Sequence, residues 1–225
     1  MIICKRLKKA ASLVKKGSRV ADIGTDHAKL PVLLIQQGIS PCCIASDIMQ
    51  GPLDNALKTV QSAGVQDKID LRLCDGLEKI NENEVDTIVI AGMGGEMIIK
   101  IISDTPWCKN KELILQPMTA ADKLRAYLSK EGFLVKKEVA VTDMGKHYCL
   151  LSVIYDGVKD KKYDKEYLYV GNIYNDSKDS QEYLNHQIKK LNKIKTGLIN
   201  SKQKDEKRIN DLDDIINAVS RRLEK

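Results

Sequence analysis

Apolar residues recur along this chain with two alternating periods. Cys4, Leu7, Ala11 and Val14 stand at helical spacing with lysines between them, and Gly17 marks where that helix would stop. The pattern then becomes a short run, Val20-Ala21-Asp22-Ile23, closed by Gly24, as expected of a buried parallel strand. Pro31 is harmless only in the first turn of a helix, whose N–H groups have no helical partner. The next helix should therefore begin near residues 28–30, leaving 25–27 as loop. The alternation repeats with the run 42–46, which ends at Asp47, and a helix opened by Gly51-Pro52. That helix should carry Leu53, Ala56, Leu57 and Val60 on one face and stop before Gly64. A third run, 69–74, precedes Asp75-Gly76. The β-branched run 86–91 leads into a loop, Gly92-Met93-Gly94-Gly95, and a helix over 96–102. Trp107 reads as a packing anchor before a strand over 111–115, with Gln116-Pro117-Met118 at its ligand-side end. Thr119 and Asp122 fit a capping box for a helix ending near Gly132.

From Phe133 the period changes. Runs over 134–141 and 148–155, joined by Thr142-Asp143-Met144-Gly145-Lys146, predict an antiparallel hairpin. Five βα units closed by such a hairpin make a seven-stranded α/β sheet, Rossmann-like, with one strand antiparallel. If the first hairpin strand runs parallel to the others, its turn lies on the ligand side and Lys146, His147 and Tyr148 border the substrate. After a charged linker over 156–162, Leu184, Ile188, Leu191, Ile194 and Leu198 form one helical stripe. Ile209, Leu212, Ile216, Val219 and Leu223 form another, separated from it by 200–207. Folded back on each other they would make a C-terminal helical, coiled-coil-like hairpin; one long helix or a dimerising coiled coil is the alternative. Tyr163, Tyr167, Tyr169 and Tyr174 would dock this segment on the first. The expected domains are 1–157 and 158–225, with a monomer slightly favoured.

The 225 residues suffice for one full core and a small appendage. The net charge of +6 is mild, but lysines and arginine cluster between Lys5 and Lys16 and again at Lys189, Lys190, Lys193 and Lys195. Basic clusters at both ends favour a polyanionic partner. Six cysteines without a C-x-x-C pair and only three histidines suggest neither a metal site nor a disulfide framework. With no signal-peptide pattern and no run near ~18 apolar residues, a soluble cytoplasmic protein without a membrane span is expected.

The Gly24 loop is not a dinucleotide fingerprint, because Asp26 and Lys29 stand where the second and third glycines belong. Negative charge at Asp26 repels a pyrophosphate and attracts a ligand carrying an ammonium and a sulfonium, which describes S-adenosylmethionine. Asp47, about twenty residues beyond Gly24, stands where a carboxylate takes a ribose hydroxyl pair. Asp75 and Gly76 could reach the adenine edge. Any one of Asp22, Asp26, Asp47 and Asp75 could cap a helix or form a turn instead. Strand-terminal acids in the order of a doubly wound sheet argue jointly for a site.

The set Asp22-Ile-Gly-Thr-Asp-His27 with Leu30-Pro31, Asp47, Gly51-Pro52-Leu53, Asp75-Gly76-Leu77 and Ala91-Gly-Met-Gly-Gly95 resembles the bacterial tRNA adenine-N1 methyltransferases of the TrmK family. The resemblance implies a class I methyltransferase fold, S-adenosylmethionine as cofactor and N1 of adenine 22 in tRNA as acceptor, with the helical hairpin assisting tRNA binding. On this reading Asp22, Gly24, Asp47, Asp75, Gly76, Gly92 and Met93 bind the cofactor. Asp26 and His27 are the catalytic pair, and Gly94, Gly95, Lys146 and Tyr148 meet the substrate. Another RNA or a small-molecule acceptor, or a non-catalytic RNA-binding role, is the alternative.

Overall fold

The strand β1 (Val20–Ile23) is buried along its whole length in the middle of the sheet. In the computed structural model, which describes residues 2–201 and 205–224, it lies between β2 (Cys43–Asp47) and β4 (Thr87–Met93). Parallel strands β3 (Ile69–Leu73) and β5 (Glu112–Pro117) flank that trio. The edge strand β6 (Phe133–Asp143) and its antiparallel partner β7 (Lys146–Tyr155) complete the order β3-β2-β1-β4-β5-β7-β6. β6 thus runs parallel to the first five strands, and its turn with β7 stands at their carboxyl ends. The winding reverses at β1, with β2 on one side and β4 on the other. Open α/β sheets hold ligands in the crevice beyond the strand ends at such a point.

The helix α1 (Lys5–Ala11) precedes β1, and α2 (Lys29–Gln36), α3 (Gln50–Ala63), α4 (Gly95–Ser103) and α5 (Ala121–Lys130) lie in crossovers between strands. Pro31 sits in the first turn of α2, as its missing N–H requires. Four local expectations need correction. α1 stops at Ala11, and tight turns carry Leu13 and Val14 back to it. Leu57 on α3 is 44% exposed, so the buried face of that helix is Leu53, Ala56 and Val60. The glycine segment is not a free loop: β4 continues to Met93 past a bulge that Gly92 takes up at φ +92°, and Gly95 already belongs to α4. Thr119 and Asp122 form no capping box, because Ala120, in the left-handed region at φ 52°, precedes α5 without a side-chain cap, and the Thr119 carbonyl accepts the Gly95 N–H instead.

Beyond β7 the chain forms the single turn α6 (Tyr167–Val170) and two long helices, α7 (Lys178–Ile199) and α8 (Glu206–Leu223). Lys195 pairs with Asp213, and Asn175, just ahead of α7, donates to the Leu223 carbonyl at the end of α8. These contacts decide for the antiparallel hairpin over one continuous helix; part of the 200–207 separator, 202–204, lies outside the described residues. Leu184, Leu191, Leu212 and Val219 are buried as the stripes require, joined by Tyr183 and Ile215, whereas Ile194 is 41% exposed. Of the four tyrosines, Tyr167 is buried with Tyr163 stacked on it, and Tyr174 is half exposed beneath Arg222.

One apolar cluster runs from Ile23 and Ile90 through Phe133 and Leu151 to Tyr183, Leu184 and Val219, so both segments share a core across residues 157–158. A buried ion pair on the sheet side reaches across the same junction through its further hydrogen bonds. Arg125 on α5 donates to Glu138 on β6 through Nε at 2.9 Å and Nη2 at 2.5 Å, and through Nη1 to the Leu168 carbonyl at 2.8 Å. The second oxygen of Glu138 accepts the Asn172 N–H at 2.9 Å. Among the described residues no helix is long and apolar enough to cross a membrane, and no cluster of acids, histidines and cysteines could hold a metal ion.

Candidate active site

The loop after β1 is built from below. The Gly24 and Thr25 N–H groups both donate to the Ser46 carbonyl at 2.9 Å, which lays the loop across the end of β2. The Thr25 hydroxyl donates to Asp22 at 2.6 Å beneath it. Burial pushes the Asp22 carboxyl up to about 6, against the opposing pull of the Thr25 hydroxyl and the Arg6 guanidinium. A positive ligand group would relieve that cost. Gly24 has φ +71°, and a Cβ there would overlap the Met93 side chain that packs against it.

Asp26, at φ 52°, and Ala28, at φ 49°, both hold the left-handed conformation, at a cost on the order of 1 kcal/mol each. The turn they form points the exposed Asp26 carboxylate outward, with His27 Nε2 3.5 Å from it. The Asp26 N–H and the Met49 N–H donate to the two oxygens of Asp47, at 3.4 and 3.0 Å, and so fix that carboxylate beside the loop. Ile48 and Met49 next to it are more than half exposed, an apolar surface suited to a flat ring.

Arg6 lines the cleft and is a candidate that sequence reasoning missed. Counted there as one charge in a basic cluster, it reaches from α1 over the ends of β4 and β5. Its Nη1 donates to the Gln116 side-chain oxygen at 2.6 Å, and its backbone N–H donates to Asp143 at 3.1 Å. The guanidinium lies 5.8 Å from the Tyr148 ring centre and beside Gly92, where a Cβ would stand 3.4 Å from Nη1. Buried Gln116 is itself oriented by donating to the Pro117 carbonyl. Arg6, Asp22, Gly24, Asp26, His27 and Gly92 thus line one cleft of about 290 Å³. A carboxylate below the loop and a guanidinium at the side match the ammonium and carboxylate of an amino acid.

Not all candidates converge there. Asp75 and Gly76 follow β3 and open on a neighbouring hollow with Trp107; Asp75 lies 3.9 Å from Lys100, and the Cys74 N–H donates to the Asp47 carbonyl. Gly94 packs under Thr119. Gly95 is buried, and a Cβ there would run into the Ala120 carbonyl. Lys146 is exposed at the β6–β7 turn, while Tyr148, two residues on, borders the cleft through Arg6.

Comparison with known proteins gives this geometry a context. The methyltransferase-domain family matches residues 3–151. The tRNA (adenine(22)-N(1))-methyltransferase of Bacillus subtilis is 37% identical over 164 residues, 72% of this chain and 68% of that protein. The crystal structure of the B. subtilis tRNA methyltransferase TrmK superposes with a TM-score of 0.82 at 27% identity, covering 99% of each chain. M. capricolum TrmK, in complex with S-adenosyl-homocysteine, does so with a TM-score of 0.80 at 26% identity, covering 100% of this chain and 99% of that one.

Proposed function

The chain belongs to the family of methyltransferases that includes the tRNA (adenine(22)-N(1))-methyltransferases, and from that membership we propose that it transfers the methyl group of S-adenosylmethionine to N1 of adenine 22 in tRNA. The observation that carries the reading is the pairing of buried Asp22 with Arg6 across the cleft at the winding reversal. The residues present fit the cofactor. Asp22 would receive its ammonium, Arg6 its carboxylate and Asp47 its ribose hydroxyls, with Ile48 and Met49 against the adenine. When bound, S-adenosylmethionine supplies a methyl group made electrophilic by the sulfonium.

Adenine N1 carries a free lone pair at neutral pH, so the chain must position the base more than activate it. Gly92, without a side chain, leaves room for the ring beside Arg6. The ring becomes cationic on methylation, and the exposed carboxylate of Asp26 stabilises that charge as it develops. His27, beside Asp26, orients the base by its edge. The target adenine must leave its stack to arrive here, which a basic surface gripping the flanking phosphates assists. We place the reaction in the cytoplasm with its tRNA.

Incubation with labelled S-adenosylmethionine tests the acceptor class. Unmodified tRNA is expected to take label while free adenosine takes little. Equal labelling of free adenosine would replace the RNA reading with a small-molecule acceptor, and tRNA binding without any transfer would leave a non-catalytic RNA-binding protein.

A further inference from the structure

A second hollow, of about 180 Å³, opens between α7, the carboxyl end of β5 and the amino end of β7. Tyr148 belongs to both sites: its ring faces Arg6 on the cofactor side and lines this hollow on the other. The rim carries His147 from β7, and His186 and Lys190 one helical turn apart on α7. The two imidazole rings are 5.0 Å apart. The Thr142 hydroxyl lies 3.0 Å from His147 Nδ1, which engages that nitrogen and leaves Nε2 for another partner.

Positive charge here has little local compensation. Lys190 makes no ion pair with any described residue. Asp122 is the one acid among the lining residues, and nearby Asp179 accepts the Thr142 N–H. Burial, and then His147, Lys190 and Lys189 nearby, hold the His186 pKa below its ordinary value. An anion bridging the two histidines and Lys190 would remove that repulsion and gain charge-assisted hydrogen bonds. The pocket also has an apolar floor of Pro117, Tyr183 and Leu191, which suits a nucleotide better than an isolated small anion.

We propose that this cleft holds a phosphodiester of the substrate tRNA adjacent to the target adenine, with His147, His186 and Lys190 as its donors. The inference rests on tRNA being the substrate and adds a fixed grip next to the reacting base. It also assigns the helical hairpin a specific task, because α7 brings two of the three donors to the mouth of the active site.

The test is tRNA binding by fluorescence anisotropy at several salt concentrations, with the double variant His186→Ala/Lys190→Gln. Both positions are exposed on α7, so the fold tolerates the change. The double variant is expected to bind unmodified tRNA at least about tenfold more weakly, with the slope of log affinity against log salt reduced by about 1. Its S-adenosylmethionine affinity, measured by calorimetry, is expected to equal that of the parent. Lys68→Gln, which removes an exposed charge at the amino-end edge of β3, should leave tRNA affinity nearly unchanged. Parental tRNA affinity and salt slope in the double variant would overturn the proposal, as would an equal loss from Lys68→Gln. Absence of methyl transfer by the parent protein, with the binding difference intact, would overturn the reaction and not the cleft.

Discussion

Replacing Glu138 with alanine will destabilise the protein by about 3–5 kcal/mol, the cost of stranding one member of a buried ion pair. Both side chains of the Arg125–Glu138 pair are fully inaccessible to solvent. Burial opposes the charge on Arg125, but Glu138 beside it raises its pKa well above the ordinary value, so removing the carboxylate leaves a guanidinium in the core. The same change strips the Asn172 N–H of its acceptor. It also empties the space that forces residue 171 to be glycine, where a Cβ would collide with the Glu138 carboxylate. Urea denaturation followed by circular dichroism measures the effect. The apolar pair Arg125→Met/Glu138→Leu should recover much of the loss, since two desolvated charges are removed together. A loss below about 1 kcal/mol for Glu138→Ala would mean that the pair does not fasten the helical segment to the sheet.

Asp26→Asn is expected to lower kcat by about 100-fold or more while leaving S-adenosylmethionine affinity within a few-fold of the parent. The amide is nearly isosteric and keeps the left-handed turn, which asparagine tolerates, so the change removes charge and little else. Asp26 lines the cleft at its exposed rim and only its backbone N–H donates to Asp47, so its side chain stands apart from the buried Asp22. Single-turnover kinetics with saturating cofactor and tRNA, beside calorimetry with the cofactor alone, separate the two effects. A loss confined to cofactor affinity would move Asp26 to the methionine end of the ligand and leave the developing charge on the base without its proposed partner.

The succession of strands and the position of the crevice were legible because glycine, proline and acid residues punctuate this chain at the strand ends. Gly24 permits the turn at φ +71° and Pro31 restricts the start of the following helix, which together fit a strand–loop–helix succession. Arg6 was not legible. Nothing in a lysine-rich first helix tells which cation folds over the sheet, since that is fixed by long-range contacts with Gln116 and Asp143. Gly95 misled for a related reason: three glycines in four residues read as open ligand loop, yet the last is demanded by the Ala120 carbonyl from another crossover. Thr119 and Asp122 had the spacing of a capping box, but the Thr119 carbonyl is engaged by Gly95 and the chain enters α5 through a left-handed Ala120. Helical periodicity in the tail identified the two stripes. It could not locate the buried Arg125–Glu138 pair that ties the tail down, because neither residue stands on an apolar stripe.

The most direct test of the central claim is to map the methylated atom. After reaction with S-adenosylmethionine, unmodified tRNA is digested for nucleoside analysis, and a second portion is copied by reverse transcriptase, which N1 methylation halts by blocking the base-pairing edge. N1-methyladenosine, a stop one nucleotide to the 3′ side of position 22, and no product from a tRNA carrying guanine there are expected. Methylation on the exocyclic amine, or undiminished transfer to the guanine-substituted tRNA, would contradict the claim.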